Sequence, residues 1–135
     1  MDLKDTLQIS AMGMKAQGTR LRVVAENLAN AGTTATSPTE DPYRRKTVSF
    51  KNELDRASGI ELVKVDEIGQ DKSDFQTKYD PGNPAADANG YVKVANVNSL
   101  VEVMDMHEAQ NAYEANLGVT EISKSMMLQT IALLK

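Results

Sequence analysis

Cysteine and tryptophan are absent from this chain, and it has a single histidine, His107. Without cysteine there is no disulfide, no thiolate metal site and no thiol redox chemistry. Four tyrosines and two phenylalanines bring the aromatic share to 4% of 135 residues, so the core must be built from aliphatic and small side chains. Lysine and arginine number 15 against 19 aspartates and glutamates, a net charge of −4. That sign argues against nucleic acid or an anionic bilayer surface as a partner. No apolar run approaches the ~18 residues of a membrane span, so no membrane insertion is expected. Asp2 and Asp5 stand where a cleavable signal peptide needs basic residues, and the apolar residues around them are spaced rather than continuous. Export, if it occurs, is expected to proceed without a cleaved signal.

Catalytic machinery is equally thin. Neither a phosphate-binding Gly-Lys-Ser loop nor metal-ligand spacing is present, so no catalytic residue, cofactor or metal is assigned. Asp80, Asp87, Glu102, Asp105, Glu108 and Glu114, with His107, are the candidates for a glycoside-hydrolysing pair. Asp105 and Glu108 share a helix face, but such pairs are ordinary on solvated helices, and no aromatic sugar platform accompanies them. The chain reads as a non-enzyme.

What is present is helix at both ends. Ser99 to Leu134 is free of proline and rich in good helix formers, which predicts one helix of roughly 50 Å. Ser99 followed by Glu102 fits a capping box, and Lys135 faces the negative end of the helix dipole. Its apolar positions form a seam at alternating steps of three and four: Val101 and Met104, then Ala112 and Ala115, then Val119, Ile122, Met126 and Leu133. Glu108 and Gln129 interrupt that seam, and Gly118 lies beside it. A seam this long is expected to need partners. The other helical pattern runs from about Leu3 to Ala31, with Leu7, Met14, Leu21 and Leu28 at seven-residue spacing. Leu3, Val24 and Ala31 form the complementary line, broken by Ser10 and Gln17. Gly13 and Gly18 weaken this helix by ~1 kcal/mol each while allowing close approach of a partner.

Gly32 is expected to stop the first helix. A polar loop from Thr33 to Pro42 then leads to alternating residues around Thr47–Lys51, to Ile60–Ile68, to Phe75–Tyr79 and to Tyr91–Val94, each read as a short strand. Pro81-Gly82 predicts a type II turn. Asn89-Gly90 is read as the end of a structured loop rather than a tight hairpin. The fold class is therefore α+β: two long terminal helices forming a coiled-coil-like helical core, with a small irregular β unit between them. The divisions are residues 1–32, 33–97 and 98–135, the two helices together making one core domain.

Four ordered motifs carry a family resemblance. They are Asn27-Leu28-Ala29-Asn30, Tyr43-Arg44-Arg45-Lys46, Tyr79-Asp80-Pro81-Gly82-Asn83-Pro84 with Asn89-Gly90, and Tyr113-Glu114-Ala115-Asn116. Together they resemble the bacterial flagellar rod and hook family. His107 and Gly118 are departures from that pattern.

The resemblance implies a structural subunit of the flagellar basal-body rod, the helical tubular drive shaft that crosses the periplasm, with the terminal helices as its core. Its partners would be itself and other rod proteins, and the flagellar type III export apparatus during secretion. The alternative is a soluble helical adaptor that binds one partner through the same seams. Two further expectations follow. Arg44, Arg45 and Lys46 meet an acidic surface on an adjacent subunit, and both terminal segments are disordered until assembly.

Overall fold

A computed structural model describes residues 2–133, so the expectations placed on Leu134 and Lys135 lie outside the described residues. In chain order the elements are α1 (Leu3–Ala29), β1 (Lys46–Asp55), β2 (Ile60–Gln70), β3 (Gln76–Tyr79), β4 (Tyr91–Val94) and α2 (Ser99–Leu133). Two long helices thus flank a small β region.

The helix ends differ from expectation. At α1 the Asp2 carboxylate accepts from the Leu3 N–H at 2.6 Å, and Asp5 reaches back to accept the Asp2 N–H at 2.9 Å, a reciprocal cap. No such box forms at Ser99. Asn98 caps α2 instead, accepting from the N–H groups of Leu100 and Val101, and the Glu102 carboxylate turns inward. Gly32 does not serve as a left-handed stop, since among the described residues only Gly59 and Gly90 have positive φ. α1 closes instead through short turns from Ala31 to Leu28 and from Thr33 to Asn30, while the Asn30 amide donates to the Glu26 carbonyl.

The β region is two separate two-stranded sheets. β1 and β2 run antiparallel, as the cross-strand pairs Lys51–Asp66 and Glu53–Lys64 require. β3 and β4 pair with Gln76 opposite Val94 and Tyr79 opposite Tyr91. The loop from Asp80 to Gly90 is structured, as expected, and closes with the Asp80 N–H donating to the Gly90 carbonyl at 2.9 Å. Gly90 sits at φ +82°, and a Cβ there would lie 2.9 Å from the Tyr79 ring, so glycine is required on both counts. Within the loop, Asn83 bonds back to Asp80 across Pro81 and Gly82. Gly82 is not at positive φ, so the turn is not the expected type II.

The chain divides into two compact units. One takes residues 2–21, 49–67 and 107–133; the other takes residues 22–48 and 68–106. In the first, the buried residues are small or polar: Ser10 and Ala16 on α1, Ala109 and Ser123 on α2, with Leu62 from β2. α1 and α2 approach closely enough there that a Cβ on Gly13 would stand 3.0 Å from the Asn116 side chain. In the second unit the buried apolar residues are mostly valine: Val23 and Val24 of α1, Val92 of β4, and Val97, with Ala85 and Ala95.

The glycines of α1 separate by this geometry. Gly18 has no neighbour within 4 Å of a hypothetical Cβ, so Gly18→Ala should raise stability by ~1 kcal/mol through helix propensity alone. Gly13→Val should instead lower it by ~1–3 kcal/mol through overpacking against Asn116, whose amide is anchored to the Ala112 carbonyl. Urea denaturation of the two variants checks the opposite signs.

Candidate functional site

Two of the motif segments meet inside the second unit, with the start of α2. Asn27, buried on α1, uses both ends of its amide. Its nitrogen donates to the Lys46 carbonyl at 2.8 Å and to the Glu102 carboxylate at 3.0 Å, and its oxygen accepts from the Tyr43 hydroxyl and the Lys46 N–H, both at 2.8 Å. Glu102, 0% exposed on α2, takes its other oxygen to the Arg45 guanidinium at 2.5 Å. Arg45 also reaches Asp105 at 3.5 Å and Asp71 at 3.6 Å. Asn96 completes the cluster by accepting from the Arg45 N–H and donating to Ser73 and the Asp71 carbonyl. A carboxylate removed from water is tolerated only when its partners replace the lost solvation, and here they do.

The basic triplet, expected to meet an adjacent subunit, has partners within the chain itself. Arg44 stacks over the Phe75 ring at 4.2 Å and donates to the carbonyls of Asp71 and Ser73. Arg45 is the Glu102 partner, and Lys46 pairs with Glu26 at 2.8 Å. An acidic complement exists within the chain's own fold, which sequence spacing alone could not show. Glu102, read from the sequence as the capping partner of Ser99, is the buried centre of this cluster. Its signal is the seven-residue line Glu102, Ala109, Asn116, Ser123, the small and polar side of α2 that is buried or half-buried.

The proposed seam residues lie elsewhere. On α1, Val24 is buried, while Leu3, Leu7, Met14, Leu21 and Leu28 are half-buried beside the buried line. On α2, Ala112 is half-buried, whereas Val101, Met104, Ala115, Val119, Ile122, Met126 and Leu133 are exposed. Ile122 is 63% exposed. A second exposed flank, with Leu117 and Leu128, escaped the sequence reading because it falls outside the heptad line. Of the other motif residues, Tyr79 and Tyr91 form an exposed edge-to-face pair with centroids 5.3 Å apart, and Tyr113 is exposed. Among the described residues no acidic and histidine cluster suits a metal ion, and His107 is exposed.

A protein from Agrobacterium fabrum named flagellar basal-body rod protein FlgC is 54% identical, over 95% of this chain and 92% of that protein. The chain belongs to the FlgC family of flagellar basal-body rod proteins. FlgC proteins of Salmonella typhimurium and Bacillus subtilis are 40% and 36% identical, covering 98% and 93% of this chain and 98% and 94% of their own lengths. Residues 88–133 also match the family described as flagellar basal body rod FlgEFG protein C-terminal. FlgC membership makes the chain a structural rod subunit of the flagellar basal body, in a family not known for catalysis. In this FlgC relative the Asn27 and Tyr43–Lys46 motifs serve the internal clamp.

Titration follows from the clamp. The hydrogen bond from Lys46 chiefly holds the Glu26 carboxyl below its ordinary 4.5, and the same contact raises the Lys46 amine above 10.5. The Ser73 N–H, and then its hydroxyl, hold Asp71 below 3.8. Burial works to lower the Arg45 guanidinium, but Glu102, Asp71 and Asp105 outweigh it and the net shift is upward. Depressed carboxyls stabilise above their ordinary values and lose that contribution as pH falls through the folded ones; the raised amine stabilises below 10.5 and loses it as pH rises further. The denaturation midpoint should therefore be flat between about pH 5 and pH 10 and fall on either side. At neutral pH, Arg45→Met should cost ~3–5 kcal/mol by stranding Glu102. Arg44→Met, which loses the Phe75 contact and two hydrogen bonds to carbonyls but strands no buried charge, should cost less, ~1–2 kcal/mol. Denaturant titration of both variants reads the difference.

Proposed function

We propose that this subunit builds the proximal part of the rod, a helical tube, with its terminal helices as the tube core and residues 33–97 facing outward. It would pack against copies of itself and other rod proteins, after travelling through the flagellar type III export apparatus without a cleaved signal. The observation that supports this reading is the apolar face of α2 that the chain does not cover: Val119, Ile122 and Met126 are exposed on a helix whose buried line is small and polar. Contiguous exposed apolar surface of this kind marks an interaction site.

Ile122→Asp tests it. Because Ile122 is exposed, the variant should keep the wild-type circular dichroism spectrum while losing rod incorporation and swimming, since a carboxylate buried at an interface costs several kcal/mol. Normal swimming with normal incorporation would overturn the reading. A folded, monodisperse variant and wild type that bind one soluble partner and never enter the rod would favour the adaptor.

Order before assembly is a second readout. Valine packing and the Glu102 clamp move the expected limit of disorder inward along each helix. In dilute monomer, hydrogen exchange should be faster for residues 3–21 and 107–133, which open locally, than for residues 22–29 and 99–106, which the clamp holds. Uniform protection along both helices would reject export-competent disorder.

A further inference from the structure

We propose that a groove between α1 and the β1–β2 hairpin in the first unit receives the Leu117–Leu128 flank of α2 from a second copy of this chain, joining copies head to tail. The inference rests on the rod-subunit reading and names the partner of its helical surface.

Two openings of about 320 and 480 Å³ share Met12 and Lys64 and so form one groove. Met12, Ala16, Val63 and Val65 give it an apolar floor. Its charge is unbalanced. Lys64 is neutralised by Glu53 at 2.5 Å, and Asp55 is engaged by Gln8 and Ser58. Lys15 and Arg56 on the lining have no ion pair among the described residues, so the groove calls for an apolar segment carrying acid.

The same chain offers such a segment. Glu114, Leu117, Glu121 and Leu128 stand at offsets of three, seven and fourteen, which places them on one side of α2. Leu117 is 40% and Leu128 58% exposed, and neither Glu114 nor Glu121 has an ion pair among the described residues. Lys124 on this side offsets only part of that negative charge. Exposure shows that the flank does not fill its own groove, which leaves it available to the groove of a second copy. Groove and flank are different patches, and a contact between different patches is heterologous: it propagates as a ring or an open helix instead of closing as a two-fold dimer. Charge sets its register and orientation.

The chain's lack of cysteine gives a clean test. Val63→Cys and Leu117→Cys, both at exposed positions, are co-expressed in motile cells, and isolated basal bodies are oxidised. A disulfide between the two variants is the expected product, with little from either variant alone. Independently, Lys15→Glu and Glu121→Lys should each reduce incorporation several-fold, and cells expressing both variants together should recover part of it. Incorporated cysteine variants that give no mixed disulfide would overturn the groove contact and leave the rod reading intact, as would capture of Val63→Cys by a cysteine placed in a different rod protein. Failure of the unsubstituted chain to enter the basal body would instead overturn the rod reading itself.

Discussion

A carboxylate with no access to water, that of Glu102, sets the terms for what packs around it in the second unit. Such a group survives only if a cation and hydrogen-bond donors stand ready at fixed positions, and Arg45 and Asn27 supply them. Those two residues are then constrained in turn. Asn27 spends its remaining valences on Tyr43 and the Lys46 backbone, and Arg45 extends to Asp71, Asp105 and Asn96. One buried charge thereby fixes where α1, the strand entry and the start of α2 meet. Apolar packing by Val23, Val24, Val92 and Val97 is non-directional and could slide; the clamp cannot.

Much of the architecture was legible in the chain. Proline-free helical periodicity placed both helices to within a few residues, and β-branched alternation found all four strands. The misses share a cause. Capping was assigned to Ser99 because the local pattern favoured it, yet Asn98 lies one residue earlier and Glu102 had a stronger tertiary use. The Arg44–Lys46 run was read as surface because its acidic partners, Glu26, Asp71 and Glu102, are distant in sequence. The α2 seam was drawn through the largest side chains, whereas the chain packs its own helices along the smallest ones. Periodicity identifies faces; it does not say which face meets the chain itself and which meets another molecule.

That division of faces is useful to a subunit. Alanine, serine and asparagine let the helices of the first unit come together at short range, as Gly13 does against Asn116, without consuming leucine or isoleucine. The larger side chains remain on the flanks, where contacts between molecules can use them. Two flanks of different chemistry also suit a subunit that meets unlike neighbours on its two sides.

A helix pair closed by small residues, with its leucines turned outward, has a thermal consequence. Near room temperature the attraction between apolar surfaces is almost entirely entropic and weakens on cooling, whereas hydrogen bonds and ion pairs within the clamp do not share that dependence. Each subunit's second unit thus has a directional clamp beside its valine packing, whereas contacts made through the exposed leucine and isoleucine flanks would lean chiefly on the apolar term. A rod built through such flanks would be tightest when warm, and in the cold would loosen between its subunits before it loosened within their clamped second units.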